Sequence, residues 1–160
     1  MYKVSFGASE IFQFAIRIEE NGEKFYRKVA DLSDDTNLKN LFTFLADEEA
    51  KHKQTFGELL SKIEKYEPPE AYPDEYFAYL RAYADQIVFP SMIDKELDKK
   101  MNSVSAVEFG IRRELDSILY YLEVKNLVPE TQRHLIDSII DEERSHFLKL
   151  SNLWKTLQGE

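Results

Sequence analysis

Apolar residues recur at helical spacing in four long segments of the chain, and the first two are close neighbours in sequence. The first segment, from about residue 9 to 31, has its stripe at Phe12, Ala15, Ile16, Glu19, Tyr26 and Val29. A turn rich in helix-capping residues follows at 32–37. The second segment runs to about residue 65, with its stripe at Leu38, Leu41, Phe42, Leu45, Phe56, Leu59 and Ile63. The pattern predicts two long helices joined by a short turn.

The second half of the chain predicts another helix pair. A third helix begins near Ser105, where "SAVE" resembles a capping box closed by Glu108, and it runs to about Asn126. Pro129 suits the first turn of a fourth helix, whose stripe lies at Leu135, Ile139, Leu150, Leu153 and Leu157. The connection at 66–102 contains "DEYFAYLRAYADQIVF", which predicts a short helix. We therefore expect an all-α fold over residues 1–160, a single domain with the ferritin-like connectivity of a four-helix bundle: two helix pairs and one long crossover.

Composition narrows the function classes. A net charge of −9 and a pI near 4.9 argue against nucleic acid and anionic membrane surfaces, both of which attract basic patches. No apolar run approaches the roughly 18–20 residues that a membrane span needs. The chain has no cysteine, which excludes disulfides and metal sites built on thiolates. Its first residues lack a signal-peptide pattern, so we expect a cytoplasmic location.

Polar residues repeat between the two halves as faithfully as apolar ones. "DEEAKH" at 47–52 returns as "DEERSH" at 141–146, 94 positions later. "AIRIEENGEKFY" at 15–26 aligns with "GIRRELDSILYY" at 110–121, 95 positions later. A duplicated helix pair explains both matches. Bundle packing alone would repeat the apolar positions without requiring these polar identities.

The repeated acids and histidines interrupt the apolar stripes. Glu49 lies four residues after Leu45, and His52 lies four residues before Phe56; the fourth helix repeats this arrangement. Glutamate and histidine at positions i and i+3 share one helix face, so both can aim at one point. Burying four carboxylates and two imidazoles is unfavourable unless cations compensate the charge, and two divalent ions would do so. The donors suit iron, manganese or zinc, and their pattern matches the ligand set of di-metal bundles. The candidate metal ligands are Glu19, Glu49, His52, Glu114, Glu143 and His146.

Other roles for charged residues stay open at this stage. The alternative to a metal site is an ion-paired bundle whose buried acids meet lysine or arginine. Arg17 and Arg112 are repeated too, but they lie two residues from the nearest candidate glutamates, toward another face. Glu48 and Glu142 stand four residues before the histidines and could compete as ligands. We rank them below the six candidates.

Tyr26 and Tyr121 are repeated two turns beyond the glutamates of the first and third helices. One interpretation makes them core aromatic residues. The other gives each hydroxyl a hydrogen bond to a ligand carboxylate, which would orient that ligand and support catalysis.

The two helix pairs, at about 9–65 and 103–157, resemble the rubrerythrin-like group of the ferritin-like di-iron carboxylate superfamily. The resemblance rests on the two hexapeptides and the two aligned twelve-residue stretches. It implies a centre of two iron ions that reacts with hydrogen peroxide or dioxygen. It also assigns the ligand role to the six candidate residues.

Two departures from that family qualify the resemblance. Typical rubrerythrins carry a rubredoxin domain with four cysteines, whereas this chain has none, so we expect an external electron donor such as rubredoxin. Rubrerythrins also tend to carry an extra glutamate one turn after the third-helix ligand; here that place is Ser117, and its repeat mate is Gly22. Gly22 would either leave room for a small oxidant or permit close helix packing.

Three functions follow as hypotheses. The first is a di-iron oxidoreductase that reduces hydrogen peroxide or dioxygen. The second is an iron-binding, ferroxidase or metal-handling protein without a dedicated peroxidase cycle. The third is a helical module with a structural metal. The sequence leaves open the native metal, the oxidant, the electron donor, the role of the crossover and whether the chain forms a homodimer.

Overall fold

The computed structural model describes residues 8–63, 74–88 and 102–159. This part of the chain contains five α-helices and no strand. The helices are α1 (Ala8–Leu32), α2 (Thr36–Ile63), α3 (Asp74–Val88), α4 (Ser103–Val124) and α5 (Arg133–Leu157). Two 3₁₀ turns, Lys125–Leu127 and Glu130–Gln132, connect α4 to α5. The predicted all-α bundle is confirmed, although much of the crossover at 66–102 lies outside the described residues.

Helix α1 packs along α2, and α4 packs along α5. The turn between α1 and α2 is closed by Asp35, whose carboxylate accepts hydrogen bonds from the backbone N–H of Asn37 at 2.8 Å and Leu38 at 3.1 Å. These are donors that have no partner inside the helix, so the cap stabilises the start of α2. The short, capped turn makes α1 and α2 antiparallel neighbours.

Two predicted helix starts were wrong by a few residues. Helix α4 begins at Ser103, because Asn102 is the cap: its side chain accepts from the backbone N–H of Ser105 at 2.8 Å. Glu108 accepts instead from the indole N–H of Trp154 at 3.0 Å. Pro129 precedes a 3₁₀ turn rather than opening the fourth long helix, which begins at Arg133.

The crossover helix α3, which was predicted, lies across α1 and α4. Its Leu80 is fully buried in the core. The hydroxyl of Tyr83 donates to the backbone carbonyl of Asp116 at 2.7 Å, and Arg81 pairs with Glu10 of α1 at 3.2 Å. Helix α3 therefore joins the two helix pairs along one side. None of the described helices combines the length and hydropathy needed to cross a bilayer.

The core consists of two apolar clusters with a polar belt between them. One cluster includes Phe12, Ile18, Phe56, Tyr121 and Ile139. The other includes Phe25, Phe42, Leu45, Val107 and Leu150. Along all four long helices, the buried acids and histidines fall between residues of the first cluster and residues of the second. The belt is therefore closed at both ends by packed hydrocarbon.

Candidate metal centre

The structure brings all six candidate ligands into the polar belt. Each is at most 5 % exposed. Their order along the chain is Glu19 on α1, Glu49 and His52 on α2, Glu114 on α4, and Glu143 and His146 on α5. Each long helix thus contributes to one site, because the helical period places these residues on the same face as the apolar stripe.

The donors form two overlapping groups, each with ligand atoms within 4.8 Å of one another. The groups are Glu19, Glu49, His52 and Glu143, and Glu49, Glu114, Glu143 and His146. Glu49 and Glu143 belong to both groups, so their carboxylates can bridge two neighbouring ions. Each group adds one further glutamate and one histidine. Such a mixed set of oxygen and nitrogen donors suits iron, manganese or zinc.

The histidines point Nδ1 into the site, and the two rings stack with centroids 5.8 Å apart. Four nitrogen–oxygen distances describe the two groups: His52 Nδ1 to Glu143 Oε1, 2.7 Å; His52 Nδ1 to Glu19 Oε2, 3.6 Å; His146 Nδ1 to Glu114 Oε2, 3.7 Å; and His146 Nδ1 to Glu49 Oε1, 3.8 Å. In the described part of the chain, these histidines are the ion-pair partners of the four buried glutamates. The ion-paired alternative, in which lysine or arginine meets the acids, is not what the geometry shows.

Several inward-facing atoms make no hydrogen bond of good geometry, although each lies 2.7–3.7 Å from another of them. These buried atoms are Glu19 Oε2, His52 Nδ1, Glu114 Oε2, Glu143 Oε1 and His146 Nδ1. A buried polar atom left without a partner costs about 1–3 kcal/mol, and more when it is charged. Five such atoms in one belt therefore lower the stability of the fold, unless cations accept their lone pairs. The residues present fit two metal ions.

Both repeated tyrosines reach across from the opposite helix pair to a candidate ligand. The hydroxyl of Tyr26 donates to Glu114 Oε1 at 2.5 Å, and that of Tyr121 donates to Glu19 Oε1. Each bond leaves the other oxygen of the same carboxylate facing the site. The tyrosines are also fully buried. Each ring is therefore a core aromatic residue, and each hydroxyl donates to a candidate ligand, so both interpretations from the sequence apply to both residues.

Electrostatics separates the four acids into two kinds. Burial raises the pKa of Glu49 and Glu143 well above the ordinary value of 4.5, and the charges of Glu19 and Glu114 raise it further. Burial also acts to raise the pKa of Glu19 and Glu114, but hydrogen bonds from neighbouring carboxyl, histidine and tyrosine groups outweigh it and lower that pKa. The raised pKa favours the protonated form of Glu49 and Glu143, and metal binding requires their carboxylates to be deprotonated.

Glu48 and Glu142 lie outside the two ligand groups, but with His52 they form a third group whose donor atoms lie within 4.8 Å of one another. Glu142 Oε2 is 2.6 Å from His52 Nε2, on the outer side of the ring, whereas Glu48 pairs with Lys51 at 2.6 Å. Burial acts to lower the pKa of His52, but the carboxylates of Glu19 and Glu142 raise it to about 9. The ranking of Glu48 and Glu142 below the six candidates stays a prediction.

One charged neighbour was missed in the sequence. Arg113 donates to the backbone carbonyl of Ile18 at 3.0 Å, which connects α4 to α1. The two residues directly precede the candidate ligands Glu114 and Glu19. A methyl group on Gly22 would lie 3.4 Å from both Arg113 Nη2 and the carboxyl carbon of Glu49. The repeat gave no signal for Arg113, because its mate is Ile18. The two roles suggested for Gly22 stay predictions.

A four-helix bundle that buries two overlapping carboxylate and imidazole groups belongs to the ferritin-like class of di-metal proteins. The chain belongs to the rubrerythrin family: the family model described as Rubrerythrin matches residues 10–154. The chain is also similar to the crystal structure of a protein from Thermotoga maritima described as a ferritin-like diiron-carboxylate protein. The two share 27 % identity and a TM-score of 0.67 over 94 % of this chain and 95 % of that one. No curated protein matched the chain. Family and buried cluster together indicate a di-metal site.

Proposed function

We propose that this protein is a di-iron oxidoreductase of the rubrerythrin type, which reduces hydrogen peroxide or dioxygen with electrons from an external donor such as rubredoxin. The supporting observation is the set of five buried nitrogen and oxygen atoms that face one another without well-formed hydrogen bonds, in two groups sharing Glu49 and Glu143. The donors would also accept manganese or zinc. Iron is preferred because of the family and of the diiron-carboxylate description of the similar structure.

When bound, two iron ions would supply the electrons and polarise the oxidant. One peroxide molecule takes up two electrons and two protons and yields two water molecules. The chain's own residues prepare this chemistry. Glu49 and Glu143 belong to both donor groups and would serve as ligands to both ions, and the apolar clusters close the polar belt at both ends. Burial raises the pKa of Tyr26 and Tyr121 well above the ordinary tyrosine range, so both hydroxyls stay protonated and remain donors to Glu114 and Glu19 near neutral pH.

The alternative function is iron binding or ferroxidase activity without a dedicated peroxidase cycle. Ser117 favours it, because this buried serine stands where rubrerythrins tend to have an additional glutamate. Repeated turnover with a donor distinguishes the two functions, since a metal-handling site needs no such cycle.

The test begins with anaerobic loading with ferrous iron, followed by rapid mixing with one equivalent of hydrogen peroxide or dioxygen. The near-ultraviolet absorbance of the ferric product gives the rate with each oxidant. We expect peroxide to react faster, and we expect reduced rubredoxin to support many turnovers. Glu19→Ala or Glu114→Ala should abolish the fast phase, because each removes a carboxylate from one of the two groups.

Faster reaction with dioxygen, together with a single turnover in the presence of donor, would leave the ferroxidase or metal-handling function in its place. Two accompanying expectations stay predictions: one domain over residues 1–160 and a cytoplasmic location. The oligomeric state stays open.

A further inference from the structure

The two histidines are related by the repeat, yet their outer nitrogens have different surroundings. His52 Nε2 lies 2.6 Å from Glu142 Oε2. The ion pairs of His146 in the described ranges both pass through Nδ1, on the inner side of the ring. The His146 ring instead packs edge-on against Phe44, with centroids 6.1 Å apart. One imidazole is therefore held by a carboxylate, and the other is held by an aromatic ring.

Two departures from the repeat account for this difference. Glu48 is the repeat mate of Glu142, but its carboxylate is engaged by Lys51 at 2.6 Å. The second hexapeptide has Ser145 in the place of Lys51, so no lysine of its own helix stands three residues after Glu142. Phe44 likewise stands where the second half has a serine, at position 138.

We propose that Glu142 is a positioning residue for His52, and that the two metal subsites are consequently unequal. The subsite of Glu19 and His52 binds its ion more tightly than the subsite of Glu114 and His146. A carboxylate that accepts the Nε2–H bond of an imidazole fixes the tautomer with the Nδ1 lone pair free, orients the ring and increases its basicity as a ligand. This inference rests on the di-metal site of the proposed function and adds an order of binding to it.

The burial of the partners supports a specific role for the Glu142 bond. The His52 side chain is 3 % exposed, and its outer nitrogen lies 2.6 Å from Glu142. The nearby carboxylate of Glu48 is instead held by Lys51. The Lys51 side chain is 69 % exposed, and an ion pair of that kind contributes little to folding. Removing Lys51 therefore releases Glu48 without a large effect on the bundle. By the symmetry of the repeat, the released carboxylate is placed to bond His146 as Glu142 bonds His52.

The first arm of the test measures loss of affinity. Zn²⁺ is titrated into the metal-free protein against a chromophoric chelator, which avoids redox chemistry and yields two dissociation constants. His146→Ala should retain the tighter constant, and His52→Ala should retain the weaker one. Glu142→Gln should weaken the tighter constant about 10- to 100-fold, which is the usual loss when the outer partner of a ligating histidine is removed. Glu48→Gln, the matched variant in the other half, should leave both constants within about 3-fold.

The second arm measures a gain. Lys51→Ser makes the first hexapeptide like the second at this position, and it should strengthen the weaker constant by about 10-fold. Adding Glu48→Gln to that variant should remove the gain. Lys53→Ser is the control for charge alone, because Lys53 is a nearby lysine that pairs with Glu20 at 3.9 Å and not with Glu48. It should reproduce little of the effect.

Melting of each metal-free variant shows that the changes in affinity do not come from unfolding. Equal effects of Glu142→Gln and Glu48→Gln would overturn the inference, as would equal gains from Lys51→Ser and Lys53→Ser. Both results would leave the proposed function standing, provided that the unaltered protein binds two ions. Failure of the unaltered protein to bind any metal would instead refute the proposed function itself.

Discussion

At the scale of single residues, the two oxygens of one carboxylate have separate roles. Glu114 accepts the Tyr26 hydroxyl through Oε1, while Oε2 faces the site, 3.7 Å from His146 Nδ1. Glu19 divides its oxygens in the same way between Tyr121 and the site. A carboxylate held at one oxygen cannot rotate freely, so its other oxygen is aimed before an ion arrives. The tyrosines thus reduce the ordering that metal binding would otherwise require.

Tyr26→Phe or Tyr121→Phe should weaken the binding of metal by about 10-fold, because the substitution frees one ligand carboxylate. It should also lower the free energy of unfolding by about 1–3 kcal/mol, since a buried oxygen loses its donor. Chelator competition measures the first quantity, and denaturant unfolding of the metal-free protein measures the second.

Tyr120→Phe is the matched control. Its hydroxyl donates to the backbone carbonyl of Ile11 at 3.2 Å, away from the ligand set, and its ring is equally buried. It should lower stability by a comparable amount while metal affinity stays unchanged. A loss of affinity as large as that of Tyr26→Phe would show that the effect comes from packing and not from the hydrogen bond.

The histidines make a prediction about the number of bound ions. Iron-loaded protein should contain close to two equivalents per chain, since the donors form two groups. His52→Ala and His146→Ala should each lower that number, and the double variant should lower it further, because each removes the imidazole of one group. Metal analysis after removal of loosely bound ions checks this prediction. Full loading of the double variant would show that neither histidine is a ligand.

At the scale of helices, the sequence predicted the long elements and the residues that interrupt their stripes. Both inferences depend on periodicity, which survives small errors in position. A polar residue in an apolar stripe must be buried, whichever residue starts the helix. The duplication strengthened the assignment, because Glu49 and His52 recur with the same spacing as Glu143 and His146.

The remaining features depend on contacts between distant side chains, which periodicity does not encode. Asn102 and Ser105 are both good capping residues, and only the path of the chain selects Asn102. Arg113 acts through a hydrogen bond to another helix, 95 positions away. The repeat treats Glu48 and Glu142 as equivalent, while one neighbouring lysine makes them different.

Two glycines inside helices should respond oppositely to substitution by alanine. A methyl group on Gly110 would lie 3.2 Å from Leu150 Cδ1 and 3.3 Å from Tyr26 Cε1, so the Tyr26 ring must shift. Overpacking of this kind costs about 1–3 kcal/mol, which exceeds the gain of about 1 kcal/mol in helix propensity. We expect Gly110→Ala to be destabilising, and to weaken metal binding through the bond from Tyr26 to Glu114.

A methyl group on Gly57 in α2 would meet nothing within 4 Å, so Gly57→Ala should stabilise the protein by up to about 1 kcal/mol. Denaturant unfolding of both variants provides the comparison. A Gly110→Ala variant as stable as Gly57→Ala, with unchanged metal affinity, would show that Tyr26 adjusts without cost.

At the scale of the whole molecule, the bundle encloses a concentrated charge between two apolar clusters. The four acids and two histidines supply much of the polarity of the core, and the chain as a whole carries a net charge of −9. Removing bound cations should therefore lower the melting temperature near pH 7, because ligands that bind only the folded state stabilise it by mass action. The difference between loaded and metal-free protein is the quantity to follow with pH.

That difference should widen as the pH rises from about 5 to 8. Groups with a raised folded-state pKa stabilise the metal-free fold only below that pKa. Burial and mutual repulsion raise the pKa of Glu49 and Glu143, so their destabilising effect grows as the pH rises above their ordinary value of 4.5. The carboxylates that raise the pKa of His52 from 6.5 to about 9 add stability below 6.5 that is lost between 6.5 and 9. Metal binding strengthens over the same range, because the ligands must be deprotonated.

Glu19 and Glu114 act in the opposite direction, since their pKa is lowered and their contribution is lost as the pH falls below about 4.5. The metal-free protein should therefore be most stable near pH 5, with a melting temperature that falls on both sides.

Glu49→Gln supplies the control: it removes one of the two acids whose pKa is raised, so the metal-free variant should lose less stability between pH 5 and 8 than the unaltered protein. A metal-free melting temperature that rises steadily from pH 5 to 8, or one equal to that of the loaded protein at pH 7, would contradict a buried site of four acids neutralised by cations.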